Sequence, residues 1–149
     1  MPLSHVTLTP GAIDPADRQT LVEAITTAGM RAESVPDENR RRSIVVLHEQ
    51  PAGSFTWGGE VLDGQMRAVF VDFVSSVGVM DAARKNQFVA DIHAAIAAAT
   101  QAGDARGVFS SVIFHEVAEG DWGRNGAVRR LPDFARDAGF THLRSIAAA

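Results

Sequence analysis

The chain has 149 residues, 46% of them hydrophobic and 21% charged, enough for one domain with a real core and too few for two. Its formal net charge of −4 argues against the broad basic face that nucleic acid requires, and the absence of cysteine excludes disulfides, thiol nucleophiles and thiolate metal sites. No apolar run reaches the roughly 18 residues of a membrane span, and the start lacks the basic-then-apolar pattern of a signal peptide, so a cytoplasmic protein is expected.

Met1-Pro2-Leu3 opens the chain. Loss of the initiator methionine leaves Pro2 with a secondary amine, the only one this chain can present. Residues 3–9 follow as a strand with β-branched Val6 and Thr7, ended by Pro10-Gly11. Asp14 is expected as a helix N-cap, with Pro15 in the first helical position and Asp17 at the positive helix end. Leu21, Ile25 and Ala28, with Val22 beside them, then mark one apolar helix face. Residues 34–42 read as a polar connection that holds Pro36, Asn39 and the Arg40-Arg41-Arg42 run, and residues 43–50 as the return strand. Phe55-Thr56-Trp57-Gly58-Gly59 reads as a hairpin. Residues 66–74 form the next strand. Asp81 caps a second helix that buries Phe88, Ile92, Ala95, Ile96 and Ala99 and stops at Gly103. Residues 108–117 are its return strand, and Trp122-Gly123 echoes Trp57-Gly58. From residue 127 a short irregular or helical arm is expected, frayed over 145–149.

The two halves repeat. Sliding residues 11–53 by 67 positions gives 13 identities, among them Asp14/Asp81, His48/His115 and Glu49/Glu116. Each half, about 2–59 and 66–126, reads strand, helix, strand within a single domain. The fold class is therefore α/β (α+β): two tandem β-α-β units forming a four-stranded mixed sheet with two helices on one face, plus short hairpins. The strands are too apolar to leave the other face wet, and the chain has little left to cover it, so an obligate oligomer is expected. Neighbouring residues on a strand point to opposite faces. Neither His48-Glu49 nor His115-Glu116 can then chelate one ion, and their duplication points to a shared structural role.

A Met-Pro start, two β-α-β units and this length together resemble the tautomerase superfamily. The segment HEQPAGSFTWGG (48–59) looks like the corresponding part of cis-3-chloroacrylic acid dehalogenases. EGDWGRNG (119–126) is similar to the acidic-aromatic-Gly-Arg segment of those enzymes and of malonate semialdehyde decarboxylases. The resemblance implies a homotrimer, an amino-terminal proline as general acid/base, and no metal or organic cofactor. It matches Asp121 to the dehalogenase glutamate and also carries over Arg124. It departs at Gly29, where the dehalogenases place a histidine, and at Val74-Ser75-Ser76-Val77-Gly78, where both groups place two arginines. It departs again at Ile113, where the dehalogenases have a tyrosine, and near Asn39, where the decarboxylases have an aspartate.

These residues define the candidate chemistry. A proline amine in apolar surroundings is a base whose pKa burial lowers toward working pH, and a developing enolate needs donors aimed at its oxygen. Asp121, beside Trp122, is a proton donor or water activator, or else a turn aspartate. Arg124 is a permanent bidentate donor to a carboxylate or enolate oxygen, or else half of a salt bridge. Asn39 and Arg40 lie on a connection expected to approach a neighbour's site, and Trp57 is a candidate pocket wall. The expected function is keto–enol tautomerisation of a small 2-oxo acid or enol. The alternatives are a hydratase, decarboxylase or dehalogenase acting on a small unsaturated or β-keto acid, or a catalytically silent trimeric binding protein if Met1 is retained.

Overall fold

The computed structural model describes residues 2–99 and 104–147. Met1, the helix stop expected at Gly103, and Ala148 and Ala149 of the expected frayed tail lie outside the described residues. The first half runs from β1 (Leu3–Leu8) through α1 (Arg18–Glu33) and a 3-10 helix (Asp37–Arg42) to β2 (Ile44–Glu49). A hairpin, β3 (Thr56–Trp57) and β4 (Glu60–Val61), leads to β5 (Met66–Ser76), α2 (Ala82–Ala98) and β6 (Gly107–Val117). A second hairpin, β7 (Trp122–Arg124) and β8 (Ala127–Arg129), then precedes α3 (Leu131–Ala138), a 3-10 turn (Thr141–Leu143) and α4 (Arg144–Ala147).

The main sheet has the order β2-β1-β5-β6. β1 is parallel to β2, β5 is parallel to β6, and β1 and β5 join the two units antiparallel. The architecture is the mixed four-stranded sheet with two helices expected from the repeat. Strand alternation decides which side chains reach the helices. Val6 and Leu8 of β1 and Val69, Val71 and Phe73 of β5 are buried against Leu21, Ile25, Phe88, Ile92 and Ile96 of the helices. Phe73 sits at the centre of this layer, its ring 4.4 Å from that of Phe88 and 6.1 Å from that of Phe114.

Each His-Glu pair divides between the two faces of the sheet. The glutamates turn to the helices, where Glu49 pairs with Arg18 at 2.6 Å and Glu116 with Lys85 at 2.7 Å. The histidines turn to the open face, where His48 meets His5 at 3.1 Å and His115 meets Asp72 at 2.6 Å. Asp72 and Lys85 follow His5 and Arg18 by the same 67 residues, so both contacts fall at the repeat offset. Around the histidines the open face is apolar. Leu3, Val46, Phe70, Val74 and Phe109 are half-buried, while Ile44 and Ile113 are 42% and 55% exposed.

One element differs from expectation. Helix α1 begins at Arg18, because Asp14 holds the preceding turn: its carboxylate accepts from the Ala16 N–H at 2.9 Å and its carbonyl from the Asp17 N–H at 2.9 Å. Asp81 caps α2 as expected, accepting from the Arg84 N–H at 2.8 Å. The carboxy-terminal segment packs on the body of the fold. Residues 127–129 belong to the second hairpin, residues 145–147 are helical, and Phe134, Ala135, Ala138 and Phe140 are buried in the common core. Among the described residues, no helix is long and apolar enough to cross a membrane.

Candidate functional site

Pro2 stands at the amino-terminal edge of the central pair of strands, and its carbonyl accepts from the Ile44 N–H at 2.9 Å. Its ring is buried against α1 at Gly29. A Cβ on Gly29 would lie 3.3 Å from the Pro2 Cβ and 3.2 Å from the Phe73 ring. The missing side chain thus makes room for the proline where the dehalogenases carry a histidine. Leu21, Ile25, Gly29 and Glu33 recur every fourth residue, which puts them on one helix face, and all four are buried.

The last of this stripe is a carboxylate with 0% exposure. Burial pushes the Glu33 carboxyl up from its ordinary pKa. Opposing that are the amino terminus of the chain that keeps Met1, a hydrogen bond with Ser75 and, least, the charge of His142. Ser75, itself buried, adjoins Val74, the register partner of Leu3. His142 comes from the carboxy-terminal segment, where its Nε2–H donates to the Val79 carbonyl at 2.8 Å. Helix, sheet and tail therefore converge on the start of β1.

The register also places the other candidates. β1 and β2 begin, and β5 and β6 end, on the same side of the sheet. The 3-10 segment with Asn39 and Arg40 and the hairpin with Asp121 and Arg124 share this side with Pro2. Trp57 does not: its ring packs edge-on to Phe109 at 4.9 Å, and Phe109 pairs with Ala68 at the far end of β5. Seven residues separate Ala68 from Ser75, a span of roughly 20 Å along a strand.

Several candidates are committed to partners within the chain. The Asn39 amide donates to the Ala138 carbonyl at 3.1 Å, beside Gly139, whose φ of +68° closes α3. A Cβ at Gly139 would come within 2.9 Å of that amide. Arg40 donates to the Thr27 hydroxyl at 3.2 Å and pairs with Glu23 at 3.6 Å. Arg124 pairs with Asp137, and its guanidinium lies 5.9 Å from the Phe134 ring centre. Asp121 is exposed, and its N–H closes a turn on the Ala118 carbonyl at 3.1 Å, while Trp122 packs on Phe134 at 4.9 Å. Among the described residues, no group of three or more His, Asp or Glu side chains is arranged to hold a metal ion.

Glu33, Ser75 and His142 escape sequence reasoning. One signal for Glu33 was present: it continues the every-fourth-residue stripe of Leu21, Ile25 and Gly29.

No protein-family model matches the chain, and no curated protein is similar to it. Solved structures are. A fused 4-OT described as an asymmetric trimer has a TM-score of 0.65 at 20% identity, over 85% of this chain and 94% of its own. N1, described as a member of the cis-3-chloroacrylic acid dehalogenase family, has a TM-score of 0.68 at 15% identity, over 99% of both chains. FG41 malonate semialdehyde decarboxylase inhibited by 3-bromopropiolate has a TM-score of 0.57 at 20% identity, over 81% of this chain and 87% of its own. The fold is thus tautomerase-like.

Proposed function

We propose that the chain is a tautomerase-superfamily enzyme, an isomerase that uses an amino-terminal proline on a small 2-oxo acid or its enol. The observation that carries this reading is the seat of Pro2, where a glycine on α1 makes room for its ring beside a buried carboxylate. With Met1 removed, the proline nitrogen is a secondary amine in largely apolar surroundings. Such a group can move a proton between the enol oxygen and the neighbouring carbon. The inhibition of a structurally similar decarboxylase by 3-bromopropiolate supports a small carboxylic acid as the ligand class. Asp121 and Arg124, on the Pro2 side of the sheet, are proposed to assist, Arg124 by exchanging Asp137 for a substrate oxygen. Asn39 and Arg40 are proposed as secondary substrate contacts on the same side.

Intact-mass measurement tests the premise. The expected mass is that of the chain without one methionine. A mass that includes Met1 makes the Pro2 nitrogen a tertiary amide and ends every mechanism that uses it as an amine. That result would favour a binding protein, a reading that the internal commitments of Asn39, Arg40 and Arg124 also support.

The reading includes a homotrimer. The open sheet face, with its apolar residues around His5, His48, Asp72 and His115, needs cover. The structurally similar fused 4-OT is a trimer. Light scattering is expected to return three times the chain mass, and a monomer at micromolar concentration would remove this part of the proposal. Trp57, remote from Pro2 within one chain, belongs to the site only if a neighbouring copy supplies it.

A further inference from the structure

We propose that Glu33 is the buried counter-charge of the chain's amino-terminal amine. Once Met1 is gone, it keeps a proton on Pro2 and makes Pro2 the donor in the first step. The catalytic half of this inference rests on the reading above; the pairing itself does not.

Two independent paths bring the carboxylate to the start of β1. Along α1, Gly29 touches the Pro2 ring, and Glu33 lies one turn further on the same face. Across the sheet, Glu33 bonds Ser75, which adjoins the residue paired with Leu3. A fully buried carboxylate is strongly unfavourable unless a positive or donating group faces it. Among the described residues, the charged groups nearby are few, and His142 acts on Glu33 only weakly, through its charge. From α2, Arg84 spends its Nη1 on the Ala32 carbonyl and the Ser34 hydroxyl. On α1 itself, Arg31 pairs with Asp91 at 2.9 Å. In the chain that keeps Met1, the amino-terminal charge is the largest of the influences that counter burial at Glu33, and removal of Met1 moves that charge one residue inward, onto Pro2.

An amine and a carboxyl that share one buried site titrate as a pair, and the pair retains its shared proton to higher pH than the amine alone would. At neutral pH Pro2 is then an ammonium. In ketonisation it gives a proton to C3 of the enol, the C2 hydroxyl becomes a carbonyl, and the proton released from that hydroxyl restores the ammonium. No net proton is consumed, and Glu33 acts through Pro2 rather than on the substrate. Glu33 is a positioning residue.

The test follows the amino-terminal amine by nitrogen-15 NMR across pH in the native chain and in Glu33→Gln. Removing the carboxylate is expected to lower the amine midpoint by about one unit or more, a tenfold change in proton affinity. The basic limb of the rate profile should move the same way. An unchanged midpoint overturns the proposal. If Glu33→Gln fails to fold, the carbon-13 signal of the Glu33 carboxyl in the native chain decides instead. It is expected to shift at the amine midpoint, and a signal indifferent to that titration overturns the pairing. A lowered midpoint together with normal turnover in Pro2→Ala leaves the pairing standing and removes the donor role along with the proposed enzyme mechanism.

Discussion

Replacing Pro2 by alanine is expected to lower phenylenolpyruvate ketonisation by about 10²-fold or more, the range that a positioned general acid/base supplies. The variant still presents an amine after methionine removal, so what it loses is the position of that amine. The proline ring is seated against Gly29, which the Phe73 ring also approaches, and its nitrogen cannot rotate away from the strand direction. Alanine leaves that seat partly empty and its primary amine free to turn. The loss should therefore appear mainly in kcat, with KM changed little. Stability should fall by only about 1 kcal/mol, since roughly one or two buried methylenes are removed. Turnover equal to that of the native chain, measured on folded protein of unchanged oligomeric state, would take Pro2 out of the chemistry.

Much of the frame around Pro2 is legible in the sequence, because strands announce themselves by alternation and repeats by a constant offset. The expected strands at 3–9, 43–50, 66–74 and 108–117 match β1, β2, β5 and β6 to within a residue or two at each end. The opposite facing of His48 and Glu49 follows from strand geometry alone. What cannot be read depends on partners far along the chain. Asp14 has the residue type of a helix cap, yet its carboxylate is used two residues later in a turn, so α1 starts after it. Glu33 stands one residue before the polar connection of 34–42, and nothing local marks it as buried until Ser75 arrives from β5. Arg124 stays open between substrate donor and salt bridge until α3 brings Asp137 to it. The carboxy-terminal helix itself has eight residues, too few for a helical period to stand out from chance.

Phe134→Ala is the substitution expected to show that this short helix is part of the core and of the site. Phe134 is 2% exposed, packs on Trp122 at 4.9 Å and lies beneath the Arg124 guanidinium. Truncating a phenylalanine in such a place costs about 3–5 kcal/mol, from lost burial and the cavity left behind. The cost is larger than anything a surface arm would show, where substitutions usually fall within about 0.5 kcal/mol. The effect should also travel. The second hairpin rests on α3 through Trp122 and the Arg124–Asp137 pair, while His142, two residues after the buried Phe140, bonds the Val79 carbonyl and adds its charge near Glu33. Loosening α3 thus disturbs the surroundings of Glu33 from the side that neither sheet nor α1 supplies. Urea denaturation is expected to show the full loss in a single transition, with the amine midpoint of the still-folded variant displaced as well. A separate early transition for the carboxy-terminal segment, with the main transition unmoved, would mean that the segment only decorates the fold. A single transition makes the last third of the chain a structural wall of the Pro2 site.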